Sequence, residues 1–497
     1  KENKVSDYPV HELEENDNTE TKEKLTFDNG FGGFKNNGKE YVIYNKNTPT
    51  PWVNVIANPT FGTIISNNGC GYTYAYNSGE YKITSWTNDI LLNDKSEGFK
   101  FDGKMFDPEK CTHGFGYSIL ESETKDLYHE VTEFVADTDN VKIYIMKLKN
   151  KTNKPYKSNV SFWINPTFGN FEEKTTRHIL TEFMGDDNYL KMRNVYSINY
   201  GDINVFMSAS EHIESATIEK MLIKDISFNT QKELKTVKEK WEKTLGVIQV
   251  SSPDKSFDYM MNGWYLYQTL SARIMAKAGF YQVSGAFGYR DQLQDAMNIS
   301  IVNPAYTKDQ ILKNAAHQFE QGDVLHWWHE KNHFGLRSRY KDDYLWLVYA
   351  TSYYVEVTND YGILDIQVPY ILGEELSDYE HEKGIVFSYT DKTESLLEHC
   401  MKSLDLAMNS LGKHKIPLMG GGDWNDGMNR VGIKGRGESV WLGFFLYNTI
   451  SQFTRIIKKS NHQIDTTKYN DFNAKLKENL NKKTWDGEYF LRAFFDN

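Results

Sequence analysis

Cysteine is scarce in this chain: Cys70, Cys111 and Cys400 are the three among 497 residues. An odd number at wide spacing excludes a disulfide framework and shows no metal-ligand pattern, so a reducing, cytoplasmic setting is expected. Also absent is any run of about 18 apolar residues, the length needed to cross a bilayer, so neither a transmembrane helix nor a membrane partner is expected. The first residues lack the charged-then-apolar pattern of a signal peptide. Basic charge is not in excess: Lys and Arg number 57 against 68 Asp and Glu, a net charge of −11, which disfavours nucleic acid as a partner. No P-loop, dinucleotide glycine fingerprint or serine nucleophile elbow stands between a strand and a helix, so any phosphate must be held by other means. His326-Trp327-Trp328-His329 places two histidines three apart, without a third ligand or the glutamate of a zinc protease. No metal and no cofactor are therefore expected.

Aromatic residues are plentiful, with 32 Tyr, 28 Phe and 11 Trp, and their rings supply core volume and flat faces on which a pyranose can stack. The length calls for at least two cores. Residues 1–24 are dominated by charged and small polar groups and read as a polar tail. Over 25–228, short alternating stretches such as Val141-Lys142-Ile143-Tyr144-Ile145 and Val160-Ser161-Phe162-Trp163-Ile164 are separated by turns at Asn29-Gly30, Asn37-Gly38 and Asn68-Gly69. That pattern predicts a large antiparallel β-sandwich. Leu234, Val237, Trp241 and Leu245 then recur at helical spacing up to Gly246, which predicts a helical linker over 229–254. From 255 to 497 the pattern is helical, with candidate helices at 255–277, 307–320, 342–358, 393–411, 438–459 and 468–482. Such a succession suits an α/α barrel whose end loops build a site, or an irregular bundle.

Three stretches carry candidate chemistry. Gly420-Gly421-Gly422-Asp423-Trp424-Asn425-Asp426-Gly427 puts two carboxylates and an indole on a flexible loop; it is either a general-acid loop or a glycine-rich turn. In Gly335-Leu336-Arg337-Ser338-Arg339, an extended chain projects both arginines to one side as planar forks for sugar hydroxyls or phosphate. Asp342 and Asp343 open the next helix about 100° apart, so one faces a pocket while the other caps, or both belong to a structural Arg–Asp network. In Gly285-Ala286-Phe287-Gly288-Tyr289-Arg290-Asp291-Gln292, read as the end of a loop, Arg290 and Asp291 line a pocket or pair with each other, with pairing favoured.

Together these stretches, with Phe27-Asp28-Asn29-Gly30 and Pro51-Trp52-Val53-Asn54-Val55-Ile56-Ala57-Asn58, resemble the inverting glycoside phosphorylases. That family includes the cellobiose, chitobiose and cellodextrin phosphorylases and the phosphorylase-like module of cyclic β-1,2-glucan synthases. Within it, the Pro-Trp-x-Asn and His-Trp-Trp-His forms are most similar to the β-1,2-glucan branch. The resemblance implies a β-sandwich, a helical linker and an (α/α)6 barrel, commonly in a homodimer. It implies reversible phosphorolysis of a β-linked glucooligosaccharide, with inorganic phosphate as co-substrate and α-glucose 1-phosphate as product. Asp426 is then the general acid; Arg337, Asp343, Trp424, Asp423, Arg290 and Asp291 are substrate-binding candidates, with Asp343 preferred to Asp342, and Arg339 is the phosphate candidate. One carboxylate suffices because phosphate is already an anionic nucleophile and needs no base. The final segment, Trp485 to Asn497, resembles a mid-barrel motif, so an incomplete barrel is expected. An inverting hydrolase on the same scaffold and a non-catalytic glucan-binding module are the alternatives.

Overall fold

The computed structural model describes residues 24–87, 89, 95–184, 189–194, 202–212, 215–221, 229–279, 282–377 and 379–496. The expected polar tail, apart from Lys24, lies outside the described residues.

The N-terminal half is built on a ten-stranded sheet in which each neighbouring pair is antiparallel. Its centre pairs Leu127–Val135 with Lys142–Asn150, and successive side chains there leave on opposite faces. Tyr144 and Met146 pack with Val131 and with Phe99 of a three-stranded sheet. Ile143 and Ile145 join Phe134 on the other face, against helices. A five-stranded sheet that includes Val53–Ala57 and Phe61–Ser66 completes the sandwich. Lys142 crosses between layers to Glu97 at 2.6 Å and meets Glu133 of its own sheet at 3.2 Å, so its buried charge is compensated. At the three expected Asn-Gly turns, Gly30, Gly38 and Gly69 adopt φ of +86°, +84° and +75°, the left-handed region open to glycine.

The linker helix spans Thr230–Leu245; Asn229 caps it by accepting from the Lys232 amide, and Gly246 closes it. Val237, Trp241 and Leu245 fill the apolar face between the large sheet and Trp264 and Tyr267 of the following helical run. That run comprises Lys255–Tyr259, Met260–Trp264, Tyr265–Gln268 and Thr269–Ala276, with π-helical turns in the second and fourth pieces. Tyr267 binds the sandwich through its hydroxyl, donating to Asn54 Oδ1 at 2.8 Å and accepting from the Gly116 amide at 3.0 Å. Asn54, part of the Pro-Trp-x-Asn motif, is thus a buried interdomain bracket.

The remaining helices depart from the sequence reading in several places. Tyr289–Asn298 is a helix where a loop end was expected. The helix expected at 307–320 is Pro304–Ala315, because Asn303 caps it and proline suits its first turn. The one expected at 393–411 is Leu396–Asn409: Ser395 and Glu398 form a capping box, and Ser388–Ser395 is a strand. Asp343–Thr358, Val440–Lys459 and Thr467–Lys483 lie close to expectation. Asp343–Thr358 is largely buried up to Val355 and packs against the helices at 289–298, 304–315, 396–409 and 440–459. This central position fixes whatever projects from its first turn. Short strands Phe287–Gly288, Leu325–His329, Phe334–Ser338 and Glu382–Val386 form a four-stranded sheet beside it.

Candidate active site

Four segments meet around Arg290. It sits in the first turn of the Tyr289–Asn298 helix, largely buried, and its Nη2 donates to both carboxylate oxygens of Asp426, at 2.7 and 2.8 Å. Nη1 reaches Asp342 Oδ2 at 3.5 Å and the Asp423 carbonyl at 3.4 Å. The expected pairing of Arg290 with Asp291 is therefore corrected. Neighbours on a helix point about 100° apart, and Asp291 turns to the exposed side. There it lines a cavity of 620 Å³ with Gln292, Trp327, His329 and Lys277. That volume falls in the range of small-molecule sites, roughly 300–1,000 Å³.

The loop bearing Asp426 is held from below. Asp423 is sealed from solvent; its Oδ1 accepts from Arg492 Nη2 at 2.7 Å and from the Asn425 amide at 3.0 Å, and its Oδ2 from Ser439 Oγ at 2.5 Å. Glycines let the loop lie against Arg339-Tyr340-Lys341: Gly421 N donates to the Arg339 carbonyl at 2.9 Å, and a Cβ on Gly422 would sit 2.5 Å from the Tyr340 ring. Above this base Asp426 and Trp424 are each half exposed. Buried support with an exposed acid and ring is an arrangement open to substrate.

Asp342 and Asp343 are both buried, and neither caps its helix through its side chain. Asp343 Oδ2 accepts from His326 Nδ1 at 2.8 Å, and the His326 ring stacks on Tyr340 at 4.4 Å. Asp342 Oδ2 accepts from Trp346 Nε1 at 3.1 Å. The Oδ1 atom of each carboxyl is buried without a hydrogen-bond partner. Burial, then the neighbouring Asp343 charge, pushes the Asp342 carboxyl up to about 7, with Arg290 opposing. Burial on its own would lower His326, but the Asp343 carboxylate outweighs it and holds the imidazole above its usual value. In this pocket Asp342 and His326 are thus both shifted upward, the first by burial and the second by its carboxylate neighbour.

Arg337 and Arg339 are placed differently from the open forks expected. Arg337 grips Asp323 with Nε at 2.8 Å and Nη2 at 3.0 Å, its guanidinium 3.7 Å from the Phe319 ring centre. Arg339 donates to the carbonyls of Glu380 at 2.7 Å and Ser377 at 2.9 Å. Both bind within the protein, to groups other than the Asp426 cluster. Sequence reasoning passed over Arg492, Ser439, Tyr340 and His326 as a carboxylate partner. Asp496 was also missed: it accepts from the amides of Lys434, Arg436 and Gly437 and holds the chain after the acid loop. Only proximity in space connects these residues to the site.

Comparison with known proteins places this chain in a family. Cyclic beta-(1,2)-glucan synthase NdvB of Rhizobium meliloti (strain 1021) is 32% identical over 95% of this chain, which spans 20% of that protein. Solabiose phosphorylase of Paenibacillus borealis is 23% identical over 94% of the chain and 68% of its own length. N,N'-diacetylchitobiose phosphorylase of Vibrio proteolyticus is 23% identical over 94% of the chain and 70% of its own length. Residues 39–99 and 104–233 match the Glycosyl hydrolase 94 supersandwich domain, and residues 240–497 match the Glycosyl hydrolase 94 superfamily catalytic domain. The chain belongs to the glycosyl hydrolase 94 superfamily.

Proposed function

We propose that the protein works in inverting phosphorolysis of β-linked glucooligosaccharides, with β-1,2-glucan the preferred substrate class, on a scaffold of (α/α)6 type. The observation that carries this reading is the half-exposed Asp426, set beside Trp424 on a loop whose buried half is fixed by Asp423, Ser439 and Arg492. Asp426 donates its proton to the glycosidic oxygen. A phosphate oxygen attacks the anomeric carbon from the opposite face, and the bond breaks with its electron pair on the leaving oxygen. The products are α-glucose 1-phosphate and a glucan one residue shorter. Trp424 offers a ring face to the sugar, and Arg290 supplies a positive charge within reach of the reacting groups.

The names of relatives that are phosphorylases, and the similarity to a β-1,2-glucan synthase, favour this substrate class. The test is incubation with β-1,2-glucooligosaccharide and inorganic phosphate, with glucose 1-phosphate and free glucose both measured. Phosphate-dependent glucose 1-phosphate supports the reading. Phosphate-independent glucose would establish a hydrolase instead, and sugar binding without turnover a binding module.

A further inference from the structure

Arg290 approaches Asp426 through a single nitrogen placed 2.7 and 2.8 Å from the two carboxylate oxygens. A guanidinium is always charged and only donates, so both Asp426 oxygens act as acceptors in this contact. A general acid must carry a proton when its substrate is in place. The geometry seen here engages both Asp426 oxygens as acceptors for Arg290, whereas the proposed role requires Asp426 to donate.

The charged and titratable groups facing this pair come from several elements. Asp342 and Asp343 stand at the start of the central helix and Tyr340 just before it, His326 and Glu382 on two strands with Phe334–Ser338 between them, Asp423 in the loop of Asp426 and Arg492 on the C-terminal segment. Among the basic side chains of this cluster, Arg492 serves Asp423 and His326 pairs with Asp343. Arg290 alone of the three bridges to Asp426, and its other nitrogen already has a second carboxylate, Asp342, in reach. A phosphate dianion offers the guanidinium a matched set of acceptor oxygens, and its charge repels the Asp426 carboxylate.

We propose that Arg290 is a transferable counter-ion: incoming phosphate takes it from Asp426, and Asp426 takes up a proton from solvent in exchange. The inference rests on the phosphorolysis reading and adds to it that phosphate binding arms the acid. The protons balance. The one acquired by Asp426 goes to the glycosidic oxygen as the anomeric C–O bond breaks, phosphate forms the new C–O bond, and Asp426 returns to a carboxylate. When glucose 1-phosphate leaves, Arg290 returns to it.

The test is calorimetric titration of inorganic phosphate into the full chain at pH 7, in two buffers of different ionisation enthalpy, which counts protons taken up. Phosphorus NMR titration of the bound phosphate in wild type and Asp426→Asn gives phosphate's own share of the protons, so the remaining difference between the two proteins isolates Asp426. The expected result is an extra uptake approaching about one proton in the wild type. Asp426→Asn should bind phosphate at least as tightly, since its amide no longer competes for Arg290, and Arg290→Lys should weaken both binding and uptake. Equal uptake in wild type and Asp426→Asn, or loss of phosphate binding in Asp426→Asn, would overturn the proposal. Glucose 1-phosphate formation alongside equal uptake would overturn it while leaving phosphorolysis standing. Absence of both phosphate binding and glucose 1-phosphate in the wild type would remove the functional reading as well.

Discussion

Asp342, sealed from solvent at the head of the central helix, shares the guanidinium of Arg290 with Asp426: Nη1 lies 3.5 Å from Asp342 Oδ2, while Nη2 holds Asp426. The buried carboxyl and the half-exposed one are thus tied to a single cation. What happens to that cation should be felt in both stability and activity.

Replacing Arg290 by Met leaves Asp342 buried without its cation. Breaking a buried pair in this way costs about 3–5 kcal/mol when the remaining charge stays ionised. Because Asp342 already holds its proton up to about 7, the deficit should be smaller at pH 5 than at pH 8. Urea unfolding of Arg290→Met and wild type at both pH values measures this. An equal deficit at the two would contradict it.

Asp342→Asn should flatten the pH dependence of stability. A carboxyl whose folded value is raised binds more protons folded than unfolded, so its contribution falls as pH rises from about 4 towards the folded value. The wild type should lose stability across pH 4–7 with a slope of up to about 1.4 kcal/mol per pH unit from this group. His326, also raised, adds stability that is complete below about pH 6.5 and fades above it, so some slope should persist in the variant. Thermal denaturation at intervals from about pH 4 to about pH 8 separates the two contributions, Asp342 below and His326 above about pH 6.5. Identical slopes for variant and wild type would remove Asp342 as the source.

Asp423→Asn tests the support beneath the acid. The substitution keeps the shape but replaces charge-assisted bonds from Arg492 and Ser439 with weaker ones, at about 1.5–3 kcal/mol. Turnover should fall by more than substrate binding does, since the loop would no longer fix Asp426 above it. An unchanged turnover number with lower stability would show that Asp423 is structural alone.

The sandwich and the linker helix were legible in the sequence, each for a local reason, and so was the glycine-rich loop that carries Asp423 and Asp426. Val237, Trp241 and Leu245 repeat at helical spacing, and all three are buried. The partners of the site residues were not legible, because they are distant along the chain: Arg290 lies 136 residues from Asp426, and Asp423 lies 69 from Arg492. The adjacent Asp291 looked the better partner for Arg290, and helix geometry turned it away. The Tyr289–Asn298 helix was hidden by Gly285 and Gly288 ahead of it and by its polar composition. Arg337 and Arg339 were read as open forks because the sequence does not reveal Asp323 or the carbonyls of Ser377 and Glu380.

Trp241 joins the linker helix to both halves. Its ring meets Tyr267 at 4.6 Å and packs within the cluster containing Phe134 and Ile143. Trp241→Ala should cost about 3–5 kcal/mol, the range for truncating a buried aromatic residue. Chemical denaturation followed by sandwich and helical-domain probes should show both transitions shifted together; a shift in one alone would mean that the linker does not couple the halves.

The central claim is that Asp426 protonates the glycosidic oxygen while phosphate attacks. The most direct test is the initial rate of glucose 1-phosphate formation from β-1,2-glucooligosaccharide and phosphate, compared between wild type and Asp426→Asn. The expected outcome is phosphate-dependent product from the wild type and a loss of roughly 10²- to 10⁴-fold in the variant, the usual contribution of a general acid. Equal rates in the two proteins, or glucose released without phosphate, would contradict it.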